Sequence, residues 1–234
     1  MKPVIVTDPP RADLDQVTRL ADYGVATVHE ALGRTGLLDA GLRPIQDGVR
    51  VGGTAVTALC WPGDNLMIHA AVEQCRDGDL LVVTTTSPCR DGFFGELFAT
   101  ALRRRGVRGL VTTTGVRDVA DLRALGFPVW SAAVSAQGTV KATAGAVNVP
   151  VVVGGQLVRP GDAVLADDDG VLCVRREDVH KGVEKARARL EKEAAAREAF
   201  ANGQLGLDRY GLREKLGALG VRYLTADEYA KEQA

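Results

Sequence analysis

The chain has little cysteine and places it without pattern. Its four cysteines, Cys60, Cys75, Cys89 and Cys173, show no CxxC spacing. Neither a zinc knuckle nor a disulfide framework is implied, and reduced, partly buried thiols are expected. The three histidines, His29, His69 and His180, form no HxH or HExxH pair, which argues against a zinc site. Long apolar runs are missing as well. No segment approaches the length that crosses a bilayer, and the opening MKPVIVTDPP lacks the apolar stretch of a signal peptide, so no membrane partner and a cytoplasmic protein are expected. Nor is there an excess of one charge: 29 Lys and Arg face 30 Asp and Glu, a net charge of −1, which gives no electrostatic reason to expect nucleic acid. The expected partner is a small molecule or another protein. There is no internal repeat and no low-complexity linker.

What the chain does have is core material. Of 234 residues, 46% are hydrophobic and 27 are glycine, the profile of one globular domain with an appendage. Apolar spacing in residues 13–33 predicts two short helices broken at Gly24. Residues 49–59 alternate as a strand. Asp64 is the expected N-cap of a helix over NLMIHAAVEQC. LLVVTTT reads as a buried strand, and residues 95–102 as a helix whose last turn carries Arg103-Arg104-Arg105 before Gly106. A strand from Gly109, a helix over DVADLRALG and a strand PVWSAAV complete a β-α alternation, hence an α/β architecture. Beyond residue 147 come short strands joined by turns, with Asp169-Gly170 as a hairpin signal. Residues 177–202 form an amphipathic helix with its apolar stripe unpartnered, and the tail after it is too short for a core of its own, so it is expected to dock. The expected division is therefore 1–176 for the α/β domain and 177–234 for the appended helix and tail.

Two polar points stand where helices begin after apolar segments. In GVRDV, residues 115–119, Arg117 offers a planar fork for a carboxylate and Asp118 hard oxygen for a divalent cation. A surface ion pair with Asp118 capping the next helix explains the same residues equally well. In Gly95-Glu96-Leu97, free first-turn amides favour an anion, although Glu96 is also an ordinary first-turn acid. Lys141 is the one lysine outside the termini and charged helices; it is read as a surface lysine before a Schiff-base nucleophile. Trp61 and Trp130 are read as core or interface, His69 as packed or at a subunit seam, and the acidic run at 167–170 as a turn rather than a calcium loop.

The runs PGDNLMIHAAVEQCRDGDLLVV (62–83), GELFATALRRRGVRGLVTTTGVRDVADLRALGFPVW (95–130) and SAQGTVKATAGAVNVPVVVGGQLVRPGDAVLADDDGVLCV (135–174) resemble the 4-hydroxy-4-methyl-2-oxoglutarate/4-carboxy-4-hydroxy-2-oxoadipate aldolases. These are class II pyruvate aldolases related to the regulator of ribonuclease activity A, and the tail GLDRYGLREKLGALGVRYL resembles the aldolases' extension. The resemblance implies a swivelling β/β/α, phosphohistidine-domain-like fold with a C-terminal helical extension, assembled as homotrimers or homohexamers. It implies Mg2+ or Mn2+ held by Asp118, and a 2-oxo acid substrate bound by Arg117 and by the Gly95, Glu96, Leu97 and Phe98 segment. Glu96 stands where many members have Asp and would orient a metal-bound water. Glu30 as a catalytic acid and Glu193 as an acid for the metal would come from an adjacent subunit. The implied reaction is retro-aldol cleavage to pyruvate plus pyruvate or oxaloacetate, with oxaloacetate decarboxylation as a side activity, in the catabolism of aromatic acids. The rival reading within the same fold is a ribonuclease-inhibiting regulator. One departure is local: members often read IDGGVRD where this chain has Thr112-Thr113-Thr114-Gly115 ahead of the Arg-Asp pair.

Overall fold

The alternating periods resolve, in a computed structural model describing residues 2–234, into strands and helices in mixed α/β order. They are β1 (Val4–Ile5), α1 (Leu14–Tyr23), α2 (Val25–Ala31), β2 (Arg43–Pro44), β3 (Val51–Cys60), α3 (Leu66–Gln74), β4 (Asp79–Thr85), β5 (Gly92–Phe94), α4 (Glu96–Arg104), β6 (Leu110–Val116), α5 (Val119–Leu125) and β7 (Val129–Val134). β8 (Ala146–Val147), β9 (Val151–Val153), β10 (Gln156–Val158), β11 (Ala163–Asp167) and β12 (Gly170–Val174) follow, then α6 (Val179–Ala201), α7 (Gly206–Arg209), α8 (Leu212–Ala218) and α9 (Ala226–Gln233). The main sheet runs β1-β8-β3-β4-β6-β7-β2, with β11 also paired to β3, β12 to β11 and β5 to β6. Its centre, β3-β4-β6-β7, is parallel.

These central strands are buried along most of their length because both faces are covered. On one face Leu81 and Val83 of β4 pack with Ile68 of α3, Leu102 of α4 and Leu122 of α5. On the other, Leu80 and Val82 pack with Trp130, with Val151 and Val158 of the β9–β10 hairpin and with Val164 of β11. A third cluster joins α1 and α2 to β11, β12 and the start of α6. The expected break at Gly24 is present: its φ of 86° lets α1 stop and α2 start at one residue. The hairpin expected at Asp169-Gly170 is present too, as β11–β12 with Asp167 opposite Gly170. Trp130 is core, its indole N–H donating to Asp167 O at 2.9 Å, whereas Trp61 is 40% exposed.

The chain forms two compact units, Met1–Arg189 and Leu190–Ala234. The first extends past residue 176 because Val179, Gly182 and Ala186 of α6 are buried, with Val179 and Ala186 in the α1–α2 cluster. In the second, α9 is closed by a capping box between Thr225 and Glu228. No helix among the described residues is long and apolar enough to cross a membrane.

Candidate active site

The site is built where β5 and β6 end side by side. β6 pairs with β4 through Leu110–Thr112, and beyond a register shift it pairs with β5 through Gly115 and Val116. The Arg117 amide donates to Phe94 O at 2.9 Å, fixing the exit of β6 beside that of β5. Asp118 then turns left-handed, φ 55° and ψ 40°, a conformation that costs a non-glycine residue energy and is enriched at functional sites. Asp118 occupies the N-cap position of α5 but makes no side-chain cap there. Its carboxylate turns toward α4: Oδ2 accepts the Glu96 amide at 3.2 Å and lies 3.7 Å from Arg117 Nε. The helix-cap reading of Asp118 is thereby corrected; the carboxylate belongs to the junction of two motifs.

Gly95 lets this happen. A Cβ there would stand 2.3 Å from Asp118 Oδ2 and 3.2 Å from Arg117 Cγ, so a side chain at residue 95 and this placement of Asp118 are incompatible. Gly95, Leu97, Phe98, Arg117 and Asp118 line one cavity of about 240 Å³, completed in part by Asn65, His69, Thr139 and Lys141. The first-turn amides of α4 after Gly95 have no acceptor one turn back in the helix, and the helix dipole adds positive potential there. Leu97 is exposed and Phe98 half-buried. The Phe98 ring lies 4.5 Å from that of His69 and stacks on Phe94 at 5.6 Å. Burial, helped by the nearby Lys141 charge, holds His69 below the usual imidazole range, so at neutral pH it is biased to the uncharged form.

Of the residues at this wall, Asp64 was misread from sequence and Asn65 was missed, while Lys141 is the surface lysine expected. Asp64 is not the N-cap of α3; Asn65 holds that position. Buried to 2% exposure, Asp64 instead ties two segments together: Oδ1 accepts the Leu66 amide at 2.9 Å, and Oδ2 the Ala142 and Thr143 amides at 2.8 and 2.6 Å. These bonds outweigh the opposing effect of burial and leave the Asp64 carboxyl below its usual range. Asn65 Nδ2 donates to Phe93 O at 2.9 Å, which fixes the amide's orientation, and Oδ1 is buried with no donor among the described residues. An acceptor left so costs roughly 1–3 kcal/mol unless a ligand or water completes it. Lys141 lines the cavity but is exposed, without the desolvation a Schiff-base lysine needs. The only local signals were the turn-forming PGDN and QGTVK stretches, which carry no periodicity.

The remaining expected residues lie differently. The Glu96 carboxylate accepts from Thr100 Oγ1 at 2.6 Å along α4 and does not line the cavity. Glu30, on α2, accepts from Arg34 Nε at 2.9 Å and lies 3.6 Å from Arg189 Nη1. The Arg34 hydrogen bond leads in holding its carboxyl below the usual range. It does not line its own chain's cavity. Glu193 is in the second unit, on α6.

Among the described residues no three His, Cys, Asp or Glu side chains converge to cage a metal ion. Magnesium needs no such cage: it is commonly held by one or two carboxylates, substrate oxygens and waters. Asp118 fits that manner of binding. Both of its contacts fall on Oδ2, which leaves Oδ1 for a hard cation, and the Gly95 cradle fixes the carboxylate.

Known proteins are similar to this chain. A protein of Halalkalibacterium halodurans named "Putative 4-hydroxy-4-methyl-2-oxoglutarate aldolase" is 25% identical over 200 residues, 86% of this chain and 95% of the relative. A Burkholderia multivorans protein of the same name is 35% identical over 142 residues, 61% of this chain and 86% of the relative. The crystal structure of Streptomyces coelicolor RraAS2, described as an unusual member of the RNase ES inhibitor RraA protein family, superposes with a TM-score of 0.72 at 28% identity. It covers 81% of this chain and 99% of that one. The profile of the RraA-like family, Aldolase/RraA, matches residues 25–173, and the chain belongs to that family.

Proposed function

We propose that this protein is a divalent-metal-dependent pyruvate aldolase. It cleaves 4-hydroxy-4-methyl-2-oxoglutarate or 4-carboxy-4-hydroxy-2-oxoadipate to pyruvate plus pyruvate or oxaloacetate, and decarboxylates oxaloacetate as a side activity. The observation that carries this reading is the convergence of Arg117, Asp118 and the start of α4 in one cavity. In this reading Asp118 would hold Mg2+ or Mn2+, which would supply Lewis-acid catalysis to the bound 2-oxo acid.

The chain's own groups then have distinct tasks. The amides of Leu97 and Phe98 receive the pyruvyl carboxylate. The Arg117 guanidinium donates to the 2-oxo oxygen and stabilises the charge that gathers there as the C3–C4 bond breaks. A preorganised donor of this kind is worth about 2.7–4 kcal/mol. The C4 hydroxyl loses its proton as the new carbonyl forms, and the enolate of pyruvate takes a proton at C3. A water oriented by Glu96, once its carboxylate leaves Thr100, or by Glu30 of a neighbouring copy, takes the hydroxyl proton and returns one at C3. Glu30 and Glu193 contribute across subunits of a homotrimer or homohexamer, an assembly that light scattering on the purified protein measures.

A coupled pyruvate-release assay tests the reading. Turnover of either hydroxy acid or of oxaloacetate that requires magnesium and is abolished by chelator is the expected result. Absence of metal-dependent turnover on all three would sink it in favour of a regulator of ribonuclease.

A further inference from the structure

Arg117 and Lys141 are cations on different loops of the same cavity, and only Arg117 has an anionic neighbour, Asp118 at 3.7 Å. Lys141 pairs with no carboxylate among the described residues. Its backbone is nonetheless firmly placed. The Val140 amide donates to Gly63 O at 2.9 Å, the Asn65 amide to Val140 O at 3.0 Å, and the buried Asp64 carboxylate takes the two amides that follow Lys141. A loop pinned on both sides of an unpaired lysine, facing a cavity, holds a charge in reserve for something that is not part of the chain. Beside it the buried Asn65 Oδ1, an acceptor, has no donor, so this wall is polar and has one donor and one acceptor group open.

We propose that Lys141 binds the terminal carboxylate on the half of the substrate that leaves, and so makes the cavity select 2-oxo dicarboxylates and tricarboxylates over 2-oxo monocarboxylates. This rests on the proposed function for the identity of the other half, whose carboxylate and 2-oxo group occupy the α4 amides and Arg117. The charge inventory agrees. Arg117 and Lys141 face the single carboxylate Asp118, His69 is biased to neutral, and a divalent ion at Asp118 makes the cavity more positive still. An ammonium suits this task, since it meets a carboxylate as a compact charge on a flexible stem and tolerates substrates of different length.

The test is a binding measurement with two acids of equal chain length, 2-oxoglutarate and 2-oxovalerate, which differ in the terminal carboxylate. Calorimetric titration in magnesium is expected to show the wild-type protein binding 2-oxoglutarate at least ten-fold tighter, about 1.4 kcal/mol. Lys141→Met should bring the ratio near one without changing the affinity for 2-oxovalerate, and Lys141→Arg should keep most of the preference. Lys141 is exposed, so both variants should melt with the wild type. An unchanged ratio in Lys141→Met, or no preference in the wild type, overturns the proposal. Because no bond is broken in this measurement, its failure is separate from a failure of the aldolase reading, which pyruvate release reports.

Discussion

Gly95→Ala is the sharpest test of the geometry at the α4–β6 junction. The added Cβ would lie 2.3 Å from Asp118 Oδ2 and 3.2 Å from both Asp118 Cγ and Arg117 Cγ. Ordinary contact begins near 3.4 Å, so the carboxylate must retreat by about an ångström. Backbone strain does not enter, since Gly95 is extended at φ −155°. The Asp118 side chain is 40% exposed, so it can swing toward solvent, and the cost to folding is small: one partly exposed hydrogen bond to the Glu96 amide, about 1 kcal/mol. In a chain of this size that is a Tm shift of roughly 2–4 °C. The cost to catalysis is much larger, because a 1 Å misplacement of a positioned group is worth about 10² in rate. Pyruvate release should therefore fall about a hundred-fold at saturating magnesium while thermal unfolding barely moves. Gly138→Ala is the control: its Cβ would meet only Arg117 Nη1 at an ordinary 3.7 Å, and near-normal turnover is expected. If Gly95→Ala keeps full activity, Asp118 does not act from where it sits.

Arg117→Lys should lose about 10² or more in kcat and keep its melting temperature, because an ammonium cannot reproduce the planar fork; wild-type turnover would remove Arg117 from the mechanism. Asp79 is fully buried and accepts from Arg11 Nε at 2.8 Å, Arg11 Nη2 at 3.0 Å, Thr54 Oγ1 at 2.5 Å and the Arg76 amide at 2.8 Å. Asp79→Ala strands a buried guanidinium and should cost about 3–5 kcal/mol in a urea titration, and a loss below 1 kcal/mol would contradict that accounting. Burial pushes the Cys60, Cys75 and Cys173 thiols up from 9.0 to about 12, aided in turn by Asp64, Asp79 and Asp162. A pKa raised on folding means stabilisation that is full below pH 9 and is lost as pH rises from 9 toward 12, so the urea midpoint should fall across that window. At pH 8 a thiol reagent should label the half-exposed Cys89 first; equal labelling of all four would refute it.

Sequence made the repeating elements legible because their apolar periods are long enough to count. The two helices meeting at Gly24, the helix ending in Arg103-Arg104 and the hairpin signalled by Asp169-Gly170 are all present with boundaries close to those expected. Two short strands were not legible: β5 has three residues and β8 two, below any period. The first compact unit runs past the expected boundary at 176, to Arg189. Charge density rises at 177, yet small residues such as Gly182 and Ala186 let a charged helix bury one face; a Cβ at 182 would already touch Leu20 at 3.4 Å. In the site, Arg117, Asp118 and Gly95 were named because each follows a recognisable strand or opens a helix. Asn65 and Lys141 sit on loops whose meeting depends on the Asp64 carboxylate reaching residues 142 and 143. A contact across that sequence distance leaves no local pattern.

The threonine run that departs from the family's common pattern has a structural role in this site. β6 changes its neighbour from β4 to β5 between Thr112 and Gly115, and its register against β7 slips at the same point. Such a shift strands backbone groups inside the sheet, and a buried amide without an acceptor is costly. Here the Thr114 amide donates to Thr112 Oγ1 at 3.1 Å, the two hydroxyls lie 2.6 Å apart, and Thr113 Oγ1 bonds Thr84 Oγ1 at 2.9 Å. Gly115 then passes so close to Arg90 that a Cβ would stand 2.2 Å from its carbonyl oxygen. Once past the shift, β6 and β5 run as adjacent parallel strands, whose spacing is about 4.8 Å, and both end within two residues of the pairing. The residues that follow, Gly95-Glu96 from one strand and Arg117-Asp118 from the other, must emerge as neighbours. The hydroxyls of residues 112–114 therefore do by internal hydrogen bonding what the irregular strand requires, and the meeting of the α4 start with the Arg-Asp pair is a consequence of that local repair.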